Sequence, residues 1–308
     1  MEEDRFAVSQ CVRNPVDLSH GGRTGAAGGI VVAFLNRKGG VGKTSCCHHL
    51  AGCYAKAGRR VLVVDADPQA SLTHGFWGPR RTETLAKEET LACLFADGFD
   101  PTPERLIFQT TVEGVSLLPS SAHLDACNLP VSRDAGPIQL ALRDFIDEVR
   151  GAFDVILIDC PPNLYLCSWN ALLAADFVVV PFQPEDYGSQ GIAAIQAAIL
   201  KARDRLNPRL RLLGYLLTMV QNRLGLHAAF ERQLRQLYGT DVFETRIPRA
   251  KDFAEAVSAR VPITTWRPQS AGARAISDLA AEIERRVAVL ALGGLHGRVA
   301  AFAGRGRR

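Results

Sequence analysis

The chain has 308 residues, 47% of them hydrophobic, enough to bury the core of one large domain or two modest ones. No stretch reaches the roughly 18 consecutive apolar residues of a membrane span, and the opening MEEDRF is acidic where a secretory signal is basic and then apolar, so the cytoplasm is the expected compartment. The net charge of +4 conceals an asymmetry, because residues 1–200 carry 16 Lys/Arg against 23 Asp/Glu and residues 201–308 carry 20 against 9, a surplus of base that suits either an anionic partner or a solvated face.

In chain order, residues 1–28 lack periodicity and end in GGRTGAAGG, the composition of a flexible arm. Short apolar, β-branched runs then recur: IVVAFLN (30–36), RVLVVDAD (60–67), GVSLLPS (114–120), FDVILID (153–159), DFVVVPF (176–182), RLLGYLLT (211–218) and DVFETRI (241–247). Helical stretches alternate with them, at residues 42–58, 137–151, 170–176, 191–206, 226–239 and 270–290. Fully apolar strands between amphipathic helices predict a doubly wound α/β domain with a mostly parallel sheet, spanning 29–287, whose ligand sits at the carboxyl ends of the strands. Residues 74–112 give no clear element. Residues 288–308 are basic and carry Gly293, Gly294, Gly297, Gly304 and Gly306, which predicts a loose tail.

The stretch NRKGGVGKTS (36–45) follows a predicted strand and opens a predicted helix, the context in which a glycine pattern signals a phosphate loop. Gly39, Gly40 and Gly42 let the backbone curl so that N–H groups, Val41's among them, face phosphate oxygens, and the helix start at Lys43, Thr44 and Ser45 adds its positive end. Lys43 is placed to reach the β and γ phosphates, and the Thr44 hydroxyl to ligate Mg²⁺. Two further strand ends bring acids to the same edge: Asp65 and Asp67 in VVDADPQ, and Asp159 in ILIDCPP. Hydrolysis of a bound polyphosphate would need a metal and a residue that orients water, and carboxylates at this edge are of the type that chemistry uses. Eight cysteines have no C-x-x-C pair, and the adjacent His48 and His49 point in different directions on a helix, so neither group predicts a metal site.

The loop departs from G-x-x-x-x-G-K-[ST], since Arg37 holds the first glycine position and Lys38 follows it. These residues resemble the deviant Walker A motif, K-G-G-x-G-K-[ST], of the ParA/MinD superfamily of P-loop ATPases. The likeness runs over about 29–285, and D-x-D-P-Q with D-x-P-P resembles the ParA branch. It implies that Lys38 reaches the nucleotide of a second subunit in an ATP-dependent homodimer, that Asp159 holds Mg²⁺ with Asp65 in support, and that Asp67 positions the attacking water. It further implies that Pro248, in IPR, contacts the adenine. ParA-like proteins bind DNA without sequence preference and are released when a ParB-like or cargo-adaptor partner stimulates hydrolysis. Arg223 matches one family DNA-contact region; near IPRAKD the basic position holds Asp252, with Arg249 and Lys251 beside it. Arg274, with Arg232, Arg235, Arg285 and Arg286, adds further candidates. The resemblance thus implies a nucleoid-associated DNA-segregation or cargo-positioning ATPase. The alternative is a MinD-like switch on a membrane surface, which needs an amphipathic C-terminal helix. A third class, cysteine-ligated relatives with an iron–sulfur cluster or metal, has no support from cysteine spacing. The short stretch before the loop is not expected to hold a helix-turn-helix domain.

Overall fold

A computed structural model describes residues 28–96, 98–131, 136–184, 189–221 and 223–303, so the arm expected over 1–28 lies almost wholly outside the described residues. Eight strands form one sheet: β1 (Ile30–Phe34), β2 (Val61–Asp65), β3 (Phe108–Gln109), β4 (Val115–Leu118), β5 (Val155–Asp159), β6 (Phe177–Phe182), β7 (Arg211–Val220) and β8 (Val242–Pro248). Their order is β3-β4-β2-β5-β1-β6-β7-β8, parallel throughout except for the short β3 at one edge. Apolar strand sequences demand cover on both faces, and the alternation of side chains divides that cover cleanly. Val31, Ala33, Leu62, Val64, Ile156 and Ile158 enter one core, whereas Val32, Phe34, Val61, Val63, Val155 and Leu157 enter the other.

The helices are α1 (Lys43–Lys56), α2 (Ser71–Trp77), α3 (Pro79–Thr82), α4 (Pro103–Leu106), α5 (Ala141–Val149), α6 (Leu166–Ala174), α7 (Ser189–Arg205), α8 (Gly225–Tyr238), α9 (Lys251–Ser258), α10 (Ile263–Trp266) and α11 (Ala271–Ala303). Residues of α5, α6 and α7 cover the first core, and residues of α1, α2, α9, α10 and α11 the second. Parallel register aligns the strand ends, with Phe34 opposite Asp159 and Asp65 opposite Asp159, so the loop after β1 and both carboxylates emerge at one edge. The seven predicted strands are all present.

Three differences from the sequence reading have physical causes. Residues 74–112 fold into the end of α2, the short α3, α4 and β3 and intervening 3₁₀ turns, and their apolar residues Phe76, Leu91 and Leu106 are buried by contacts distant in sequence. The backbone of α11 runs on to Ala303, past residue 287, where glycines predict a loose tail. Each glycine costs about 1 kcal/mol relative to alanine, but extending an existing helix carries no nucleation cost. The third concerns the adjacent histidines. His48 Nδ1 and His49 Nδ1 lie 3.3 Å apart with the rings edge-on, because α2, α9 and α10 close over this end of α1 and turn both rings inward.

Gly52 marks the closest approach in this packing: a Cβ there would lie 2.1 Å from Pro262 Cγ, at the entrance to α10. Gly52→Ala is therefore expected to destabilise the fold by about 2 kcal/mol, overpacking outweighing the gain in helix propensity. Urea unfolding checks this, as a lower midpoint at unchanged slope.

Candidate nucleotide-binding site

The turn between β1 and α1 is shaped by left-handed backbone at Gly40 (φ 74°) and Gly42 (φ 85°), where a side chain would be strained. Asn36, buried at the end of β1, fixes its head: its Nδ2 donates to Pro181 O (2.6 Å) and its Oδ1 accepts from the Lys38 N–H (2.9 Å). From outside, Gln183 Nε2 donates to Gly40 O (2.8 Å), and Thr218 Oγ1 lies 2.9 Å from Val41 O and 3.0 Å from Phe182 O. Holding carbonyls outward leaves the intervening N–H groups facing in. At its other end, the loop enters α1 with no side-chain cap and no acid in the first turn, so the helix's positive end is open to an anion. Lys43 is only 6% exposed and its Nζ reaches Lys38 O (3.2 Å), whereas Lys38 and Gly39 stand exposed at the tip. Ser45 follows Thr44 along the first turn of α1.

The carboxylates divide the work. Asp65, fully buried, accepts from Thr73 N (2.8 Å), Thr73 Oγ1 (2.7 Å) and the Asp67 N–H (3.2 Å), so it holds the turn that carries Asp67. Burial pushes its carboxyl up to about 7 against those hydrogen bonds. Asp67 is half-buried, with Oδ1 accepting from the Gln69 N–H (3.0 Å) and its own carbonyl accepting from Ser120 Oγ (2.8 Å). Burial raises its proton affinity as well, while the Gln69 N–H and the Lys43 ammonium oppose the rise. Asp159 is fully buried and, among the described residues, neither carboxylate oxygen has a partner at full hydrogen-bonding geometry, the Thr44 hydroxyl being the group beside it. Burial and the facing Asp65 push its carboxyl well above the usual range, and the Thr44 hydroxyl and Lys43 pull the other way. An orphaned buried carboxylate beside a threonine hydroxyl and a phosphate loop fits Mg²⁺: Asp159 and Thr44 would hold the ion, with Asp65 supporting from behind. Bound with a nucleotide, the metal neutralises phosphate charge.

Beside the loop lies a cavity of about 590 Å³ whose wall includes Thr44, Ser45, Met219, Pro248 and Phe253. Its largely apolar wall suits a base, and it contains the proline that the resemblance assigns to the adenine. Cys46 also lines it, but burial pushes that thiol up to about 12, leaving it protonated. Sequence reasoning did not find Thr73, Gln183, Thr218 or Met219. The position of Gln183 and Thr218 at the carboxyl ends of β6 and β7 was the available signal.

The arginines split into two groups. Arg249 N donates to Val220 O (3.0 Å), which sets exposed Arg249 beside the turn holding exposed Arg223, and among the described residues neither side chain has an acidic partner. Lys251 pairs with Glu255 (3.3 Å), and Asp252 with Arg267 (3.1 Å). Arg274 is exposed at the start of α11 and donates to Gln269 O (2.6 Å). Arg235 and Arg286 are bound to Glu231 and Glu282 and to strand carbonyls, so they serve the fold.

The AAA domain family matches residues 29–212. The chain is 39% identical over 258 residues to the chromosome-partitioning ATPase Soj of Thermus thermophilus, a match covering 83% of this chain and 96% of that protein. It is 34% identical over 258 residues to the chromosome partitioning protein ParA of Caulobacter vibrioides, covering 83% and 94%. The chain belongs to the ParA/Soj family of ATPases. As a ParA/Soj member it is a P-loop ATP hydrolase, and its loop, base cavity and Asp159 fit ATP with Mg²⁺. Among solved structures, cobyrinic acid a,c-diamide synthase of Mycobacterium smegmatis with bound ATP analog and magnesium aligns at TM-score 0.67 and 30% identity, over 82% of this chain and 93% of that one.

A carboxyl that binds its proton more tightly in the fold than in the unfolded chain adds stability at low pH and loses it as pH rises. Without Mg²⁺ or nucleotide, Asp65 therefore makes stability fall as pH climbs from 3.8 through about 7, and Asp159, also raised, adds a fall of the same sign. Asp159→Asn should flatten that fall in thermal melts in EDTA, while reducing Mg²⁺-dependent ATP hydrolysis by about a hundredfold or more.

Proposed function

We propose that this ParA-family ATPase is an ATP-gated homodimer that binds double-stranded DNA without sequence preference, lets go on hydrolysis, and thereby segregates DNA or positions another cargo. A ParB-like or cargo-adaptor partner stimulates the hydrolysis. The observation that carries this reading is the division of the two loop lysines: Lys43 is buried and folded onto its own loop, while Lys38 stands exposed at the tip. An ammonium at that position can meet the triphosphate of a second copy, so association is favoured only while that concentrated charge is present. Asp67, carried on the turn that Asp65 and Ser120 fix, is the group assigned to orient water.

The DNA part rests on charge. Arg223 and Arg249 share the carboxyl edge of β7 and β8 and lack acidic partners among the described residues, so they carry the phosphate contacts. Arg274, exposed at the start of α11, is available to add to them, whereas Lys251 is held by Glu255 and contributes less. A second reading, a membrane-surface switch of the MinD kind, is favoured by the helical backbone of α11 beyond residue 287. Among the described residues no helix is long and apolar enough to cross a membrane. Deleting residues after 287 separates the readings: loss of liposome binding with DNA binding intact selects the membrane switch.

Duplex binding is expected to require ATP, to vanish with Lys38→Ala together with dimerisation, and to fall linearly in log affinity against log salt. Arg249→Ala should weaken binding alike on unrelated sequences and lower the salt slope by about 1 per copy. Binding titrations with ATP, ADP and no nucleotide at several salt concentrations check this; salt-insensitive or nucleotide-independent binding overturns it.

A further inference from the structure

The two amide hydrogens of Gln183 are spent on different parts of the site. Nε2 lies 2.8 Å from Gly40 O in the phosphate loop and 2.8 Å from Met219 Sδ in the wall of the base cavity. A trans peptide unit sets its carbonyl and the following N–H on opposite sides, so a donor that holds the Gly40 carbonyl outward turns the Val41 N–H inward, towards phosphate. Thr218, next to Met219 in the chain, does the same for the following unit by binding Val41 O.

Met219 is itself an unusual residue. It has φ 53°, left-handed for a side chain larger than glycine, at an irregularity in the β7–β8 register between Leu217 and Val220. Such a kink re-aims a side chain, and here the residue it re-aims lines the cavity. A base entering the cavity therefore touches Met219, whose sulfur shares a donor with the loop carbonyl.

On the nucleotide reading of the site, the geometry points to Gln183 as a positioning residue that couples the base cavity to the phosphate loop. Filling the cavity seats Met219, which aligns the Gln183 amide on Gly40 O and keeps the Val41 N–H turned towards the phosphates. The triphosphate is then held more firmly when it carries a base than when it is bare.

A double-mutant cycle on the full chain tests this, with Mg²⁺ and two probes: ATP, and inorganic tripolyphosphate, which leaves the cavity empty. One neutral hydrogen bond corresponds to about tenfold in affinity, so Gln183→Ala should weaken ATP by about that factor and tripolyphosphate, which leaves Met219 unseated, by less. Met219→Ala should weaken ATP by about fivefold and leave tripolyphosphate unchanged, and the double variant should bind ATP no more weakly than about tenfold below the parent. Gln183→Glu keeps the size but cannot donate to a carbonyl. It should match or exceed the loss in Gln183→Ala at an unchanged melting temperature, which separates positioning from folding. Multiplication of the two single losses for ATP, to about fiftyfold, overturns the coupling, as does an equal loss of tripolyphosphate on Met219→Ala. If the parent chain binds tripolyphosphate and ATP equally, the coupling fails while the phosphate loop stands; if it binds neither, the nucleotide reading falls as well.

Discussion

A buried, under-satisfied carboxylate is the constraint around which the site is arranged. Asp159 ends a central strand with no exposure and, among the described residues, no partner at full hydrogen-bonding geometry for either oxygen, directly opposite the equally buried Asp65. Two such groups side by side oppose each other's ionisation, and the fold tolerates them because Asp65 is satisfied by Thr73 and the Asp67 amide. Asp159 is left under-satisfied, a cost that a bound Mg²⁺ would relieve. Lys43 and Thr44, on the first turn of α1, bring a charge and a hydroxyl beside Asp159, and would complete the place for the ion.

The phosphate loop has little structure of its own to hold it, since glycine frees the backbone at the positions that must be exact in direction. Its geometry is borrowed from two strand ends and a helix. Asn36 anchors its head to β6, Gln183 and Thr218 fix its carbonyls from β6 and β7, and α1 fixes its exit. Thr218 and Met219 of β7 also line the cavity beside the loop, so the two halves of a bound nucleotide would be gripped by one continuous piece of scaffold. Short side-chain ties between these strand ends are what the proposed coupling of base to phosphates rests on.

Charge at the carboxyl edge follows a different logic. The surplus of base in the last third of the chain is not spread evenly over the surface: Arg235 and Arg286 are consumed by strand carbonyls and glutamates, and Lys251 and Arg267 by Glu255 and Asp252. The acid at position 252, where the family's basic residue is expected, turns that stretch of α9 into a salt-bridged surface. Arg223 and Arg249 have no acidic partner among the described residues and lie at the strand edge that carries the phosphate loop, so an anionic partner there would be close to the proposed nucleotide site.

The sequence by itself determined the seven principal strands, the main helices, the phosphate loop with its extra lysine, and the arrival of Asp65, Asp67 and Asp159 at one edge. All of these depend on local pattern: period-2 or continuous apolar runs for parallel strands, glycine spacing for the loop, and the topological rule that places strand ends together. The tertiary structure alone decided that Asp65 is satisfied by hydrogen bonds and Asp159 is not, because that depends on Thr73 folding back eight residues away. It alone brought Gln183 and Met219 to the loop, made His48 and His49 meet, and set which arginines are already engaged. Each of these is a contact between residues far apart in the chain or turned by a neighbouring helix, and a side chain's partner is set by packing, which no single stretch of sequence encodes.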